Sequence, residues 1–281
     1  PIWAGEVRNV SLLVAIAVNA EGYRDILGIV EGATEFLPIS STGHLIIVGD
    51  LIDFLSKEKR DVFEIVIQLG SILSVVWLYQ QRFKTVVRTI ASDQQSQKFV
   101  LQLFVAFLPL AILGLLFHHQ IKEALFNPIS VAIALIAGGL IILYIEKLSL
   151  KSRVFKIESM TIIDALKIGC AQALALIPGV SRAGATILGG MSFGLSRQVA
   201  TEFSFFLAVP VMFAASGYDL LKNRHLLTMD DAGLFAIGFI AAFLSALIAI
   251  KTFIRYVAAH DFKVFAWYRI GLGLLVLMYF R

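Results

Sequence analysis

The chain has 281 residues, 58% hydrophobic and 16% charged, with mean hydropathy +0.84 and net charge +4. A soluble domain is about 45–50% apolar and about 25% charged, so this composition excludes one and points to an integral membrane protein. The basic excess fits Lys and Arg in cytoplasmic loops rather than nucleic-acid binding. The single cysteine, Cys170, excludes an internal disulfide framework and a Cys-rich metal site, and its apolar setting predicts core filler.

Residues 1–21 form an atypical segment whose alternation, ending at Asn19-Ala20-Glu21, predicts a soluble β-hairpin. The alternative is a divergent first half-helix, since 10–18 is apolar. From residue 22 onward the chain reads as one membrane domain. Apolar runs predict spanning helices over 62–80, 99–118, 128–146, 199–220, 233–253 and 264–280, each near the about 20 residues that cross the hydrocarbon. The stretches 22–50 and 158–195 are also apolar but are broken by Pro, Gly and Ser. Each predicts two half-helices that enter and leave on one side, because non-helical backbone at membrane depth needs protein or a wet cavity around it. The fold class is all-α: a polytopic membrane protein of six transmembrane helices plus two re-entrant helical hairpins.

Arg82, Lys84, Arg88 and Lys98 follow the first span, Lys147, Lys151, Arg153 and Lys156 the third, and Arg255 and Lys263 the fifth. Placing these loops inside satisfies the positive-inside rule, and the first broken hairpin then opens outside and the second inside. Lys57, Lys59 and Arg60 fall outside against the rule.

The halves, about 22–147 and 158–281, match in order. Gly28-x-x-Glu31 parallels Gly169-x-x-Gln172, and Pro38-x-x-Ser41 parallels Pro178-x-x-Ser181. Glu64 lies 20 residues after His44, and Glu202 lies 20 after Arg182. A hairpin plus three spans per half gives an inverted-topology repeat, whose site is expected at the repeat interface near the midplane. The two polar strings should therefore meet.

Glu31 and Glu35 share a helix face, which suits a divalent cation, Mg²⁺ first and Ca²⁺ as the alternative, completed by phosphate oxygens. Otherwise these carboxylates cap a broken helix. Ser40, Ser41, Thr42 and Gly43 follow a proline break, where hydroxyls and free N–H groups make an anion site; simple N-capping by Ser40 and Thr42 is the alternative. His44 sits three residues beyond Ser41, near enough to form an activated Ser–His pair. Arg182 is the only charge between Lys167 and Arg197, and its fork suits bidentate phosphate recognition. Pairing with Glu31 or Glu35 is compatible with that role. Gly179 and Gly184 allow close backbone approach. Phe203, Phe205 and Phe206 are expected to pack or to face lipid, and Glu64 and Glu202, near the starts of spans, to complement the helix dipoles or to support the site from outside it.

On these residues the chain resembles the bacitracin-resistance family of undecaprenyl-diphosphate phosphatases. That family carries E-G-x-T-E-F-L-P-x-S-S-T-G-H, matched from Glu31 to His44, and P-G-x-S-R-S-G-A-T, matched from Pro178 to Thr186 except at Ala183. The resemblance covers about 22–281. It implies hydrolysis of undecaprenyl diphosphate to undecaprenyl phosphate and inorganic phosphate, which recycles the carrier lipid of cell-wall synthesis. It implies catalytic roles for Ser41, His44, Arg182 and Glu35, and substrate binding by Ser40, Thr42, Gly179, Ser181 and Thr186. Glu31 and Glu35 would hold the divalent cation. The implied setting is the bacterial plasma membrane, with the site opening to the periplasmic or extracellular side. Bacitracin would compete by sequestering the lipid, and a homodimer is admitted. Residues 1–21 look similar to part of an insertion-element transposase, implying a join near 29–33. A transporter or flippase of a phosphorylated polyprenyl lipid is the alternative function.

Overall fold

The computed structural model describes residues 23–52, 57–125, 127–148, 150–223 and 232–280. The expected β-hairpin in 1–21, with its transposase likeness, lies outside the described residues. The first half comprises α1 (Tyr23–Thr34), α2 (Ser41–Ile52), α3 (Lys57–Leu78), α4 (Gln80–Thr89), α5 (Gln94–Leu125) and α6 (Pro128–Lys147). The second comprises α7 (Ile162–Gln172), α8 (Arg182–Ser192), α9 (Arg197–Lys222), α10 (Ala232–Ala259) and α11 (Lys263–Tyr279).

Local sequence sets the helix starts. Asn127 accepts a hydrogen bond from Ser130 N at 2.9 Å, and Pro128 follows at the first helical position of α6. Thr161 and Asp164 form a reciprocal capping box on α7. Ser196 caps α9 through Val199 N. Among the described residues, five helices are long and apolar enough to cross a membrane: α3, α5, α6, α9 and α10. The sixth expected span is α11, whose 17 residues rise about 25 Å, less than the about 30 Å of a hydrocarbon core; it packs along α6.

The packing follows an inverted repeat. α1 lies on α10 as α7 lies on α5, and α3 meets α9 as α6 meets α11. The matched glycines make the first two contacts. A Cβ on Gly28 would strike the Gly238 carbonyl, and one on Gly169 would lie 2.5 Å from the Ala106 carbonyl oxygen. α1–α2 and α7–α8 are the two broken hairpins. The connections after α4, α6, α8 and α10 gather at one end, where Arg153 N and Val154 N donate to Gly194 O. Ion pairs cluster there too: Arg82 with Glu158 at 2.7 Å, Arg153 with Asp164, and Arg197 with Glu146.

The core runs between these layers. Phe203, Phe205 and Phe206 are buried, so of the two expectations they pack rather than face lipid, and Phe36 is buried with them. Ala183, where the family pattern has serine, is also fully buried in this apolar cluster. Leu115, Leu116, Ile248 and Met278 are exposed, as a surface facing lipid should be. Cys170 is exposed rather than core filler: α7 lies at the margin of the bundle, where lipid accommodates an apolar thiol.

Candidate active site

The two breaks meet although their prolines are 140 positions apart. Ser181 Oγ donates to Leu37 O at 3.3 Å, across the repeat interface. Each break ends in a serine with positive φ, +70° at Ser40 and +72° at Ser181. Such a conformation costs of order 1–3 kcal/mol and persists only where its surroundings enforce it. Here each hydroxyl caps the following half-helix, Ser40 Oγ accepting from Gly43 N at 3.3 Å and Ser181 Oγ from Gly184 N at 3.0 Å.

This geometry corrects the register of the repeat. Ser40 corresponds to Ser181, not Ser41 to Ser181. The correspondence Gly28–Gly169, Glu31–Gln172, Ser40–Ser181, Ser41–Arg182 and Gly43–Gly184 keeps one spacing of 141 positions. The prolines break that spacing by one, because one residue separates Pro38 from Ser40 and two separate Pro178 from Ser181.

Ser41 and Arg182 are the first residues of α2 and α8, at the positive ends of two helix dipoles. Glu35, between α1 and α2, receives both. Ser41 Oγ donates to Glu35 Oε2, and Arg182 Nη2 donates to Glu35 Oε1 at 2.9 Å. Arg182 Nη1 donates to Ser204 O at 3.0 Å, and its guanidinium lies 5.9 Å from the centre of the Phe36 ring. Thr186 bonds the Ser204 hydroxyl at 2.6 Å and donates to Arg182 O at 2.9 Å, so it braces the arginine. Glu31 is 1% exposed, interacts electrostatically with Glu35, Glu64 and Arg182, and leaves Oε1 without a hydrogen-bond partner. Arg182 Nε is likewise buried and unpartnered. Gly179 has φ +92°, and a Cβ there would lie 2.6 Å from Val131 O. Thr42 follows Ser41 on α2 without a side-chain hydrogen bond among the described residues.

His44 departs from the expected pairing. Its Nδ1 faces Ser40 O at 2.7 Å, and its Nε2 faces the Tyr268 hydroxyl at 2.6 Å. A carbonyl only accepts, so Nδ1 carries the proton and neutral Nε2 accepts from Tyr268. Ser41 therefore bonds Glu35 instead of His44, because the break turns its hydroxyl back toward α1. Glu64 and Glu202 also separate. Glu64 faces Glu31, while Glu202 bonds Tyr79 and lines a cavity of about 620 Å³ with Arg82, Lys156 and Arg255 at the basic end. In the register of 141 positions these two glutamates, 138 apart, are not equivalent, and they serve different surroundings.

Ser204, Tyr268 and Arg269 were not foreseen. Ser204 had no signal among ordinary helix residues. Arg269 had one, as a charge inside the apolar run 264–280.

For the metal, the donor set fits in part. Glu31 has a buried oxygen to offer, whereas both oxygens of Glu35 are engaged.

The fold and site define a polytopic membrane protein whose inverted halves bring a serine, a carboxylate and an arginine together at two helix N-termini. The chain belongs to the family described as bacitracin resistance protein BacA, matched over residues 25–275. It is 62% identical over 252 residues to undecaprenyl-diphosphatase 2 of Rhodospirillum rubrum, covering 90% of this chain and 92% of that protein. It is 61% identical over 253 residues to an undecaprenyl-diphosphatase of Nitrosospira multiformis, covering 90% and 92%. It is also 61% identical over 260 residues to one of Methylobacillus flagellatus, covering 91% and 96%. The family match begins at residue 25, ahead of the join expected near 29–33.

Proposed function

We propose that the protein is a membrane phosphatase that hydrolyses undecaprenyl diphosphate to undecaprenyl phosphate and inorganic phosphate. The observation that carries the chemistry is Glu35 holding Ser41 and Arg182 at once. The substrate follows from relatives of that name at about 60% identity over most of the chain.

Diphosphate brings several negative charges into a low-dielectric site, so fixed positive charge must precede chemistry. Arg182 offers its fork to the terminal phosphate, aided by the N-terminal N–H groups of α2 and α8. Glu35 takes the proton of Ser41 as Oγ bonds to phosphorus, and the bond from phosphorus to the oxygen of the lipid monophosphate breaks. Water then attacks the phosphoserine, His44 Nε2 accepts its proton in place of the Tyr268 hydroxyl, and Ser41 recovers its proton as phosphate leaves. Ser40 and Ser181 hold the breaks, and Thr42, Gly179 and Thr186 shape the headgroup pocket. A divalent cation on Glu31 and Glu35 would supply charge neutralisation and orientation of phosphate oxygens.

The basic loops at one end support a plasma-membrane orientation with this site reached from the opposite, outer side. Bacitracin then acts by withholding the lipid from that side.

The deciding measurement is phosphate release by the purified full chain from farnesyl diphosphate, with and without Mg²⁺. Robust turnover is expected with Mg²⁺. No turnover under either condition would leave lipid transport as the surviving reading, which the inverted repeat favours.

A further inference from the structure

Arg269 is a buried cation whose hydrogen bonds run to carbonyls and to no carboxylate among the described residues. It is 1% exposed on α11. A guanidinium has five N–H donors in a rigid plane, and all are used. Nε donates to Leu135 O at 3.3 Å, Nη1 to Pro38 O at 3.0 Å and Val180 O at 2.9 Å, and Nη2 to Ala134 O at 3.1 Å and Gly179 O at 2.9 Å. Three of these carbonyls belong to the breaks. They lie at membrane depth, where an unsatisfied carbonyl is costly.

Nη1 bridges the two breaks by itself. Pro38 stands three residues before Ser41, and Val180 two before Arg182. The distance between their carbonyls is fixed by one nitrogen, and the two reactive side chains are set by the turns that follow. Room for the guanidinium comes from Gly138, where a Cβ would overlap it. The preceding residue, Tyr268, bonds His44 at 2.6 Å, so consecutive residues of α11 reach both reacting strings.

We propose that Arg269 is a positioning residue for hydrolysis: it locks the first break to the second and so sets Ser41 in line with the phosphate held by Arg182. The proposal rests on the phosphatase reading above. Lysine keeps the charge but has only three donors and no planar fork, so it cannot hold both breaks. Misplacement of about 1 Å is enough to cost about 100-fold in rate.

The test compares purified full-length parent, Arg269→Lys and Gly138→Ala on farnesyl diphosphate with Mg²⁺, together with their thermal unfolding. Gly138→Ala leaves the arginine in place but displaces its guanidinium. Both variants are expected to fold, to lose about 100-fold in kcat and to keep KM within about threefold, the mark of an interaction that matters in the transition state. Parental kcat in either folded variant overturns the proposal. So does a raised KM at unchanged kcat, which would make Arg269 a substrate-binding group. Failure of both variants to fold also overturns it, since the arginine would then serve the fold alone. An inactive parent instead rejects the phosphatase reading, and this proposal with it.

Discussion

Ser41 and Arg182 occupy the same position in the two halves, each the first residue of a half-helix, and each hydrogen-bonds one oxygen of Glu35. The pseudo-twofold thus places a hydroxyl and a guanidinium face to face across one carboxylate. Sequence divergence at one symmetric position has made two chemical tools.

Ser41→Ala removes the attacking oxygen and leaves Arg182 on Glu35. Its kcat is expected to fall by about 100- to 10,000-fold with little change in KM, read from phosphate release. Radiolabelled phosphoserine should be trapped in the parent at low pH and be absent from the variant. Substantial turnover by the variant would favour direct attack by water.

Arg182→Lys retains charge but loses the contacts to both Glu35 and Ser204 from one plane. A point charge does not replace a bidentate fork. The expected loss in kcat/KM is about 100-fold or more, and near-parental activity would remove the arginine from phosphate recognition.

Glu31→Gln tests the metal. The buried Oε1 of Glu31 is the oxygen open to a cation. Turnover titrated against free Mg²⁺ should need at least about tenfold more ion in the variant, and chelation should silence the parent. Full activity of the parent after exhaustive chelation would end the metal role for both glutamates.

Asp164 anchors the second hairpin at the basic end. Burial pushes its carboxyl up, but the hydrogen bonds from Arg153 and Thr161 outweigh burial and hold it below the usual carboxylate range. A group depressed on folding stabilises fully above its unfolded pKa of about 3.9, and the contribution fades as pH falls through the lower folded value. Asp164→Asn should therefore unfold at a lower temperature than the parent near neutral pH, with the gap closing below about pH 4. A gap that stays constant through that range would assign the loss to helix capping alone.

Much of this site was legible because its residues are expensive where they sit. Glu31, Glu35 and Arg182 stood out against hydrocarbon, and the repeat predicted that the strings meet. The Ser41–His44 pairing failed for a local reason. Both residues lie on α2, but the turn at Ser40 with φ +70° points the Ser41 hydroxyl back to a carboxylate six positions earlier, and His44 is held by Ser40 O and Tyr268. The proline match misled because the two breaks are equal in length but carry their proline one position apart, so hydroxyl caps rather than prolines mark equivalent points. Tyr268 gave no warning, because an aromatic residue in an apolar helix is ordinary until His44 is seen beside it.

Arg182 rests on an internal anion, and this has a bearing on selection among lipids. A phosphate that takes the guanidinium exchanges one negative partner for another and gains nothing from a single charge. A headgroup must bring surplus charge to win. The phosphodiester group of an ordinary lipid carries one negative charge, and such lipids vastly outnumber the substrate in any bilayer. Glu35 thus makes the abundant phospholipids around the protein weak inhibitors and leaves the pocket free for the rare diphosphate.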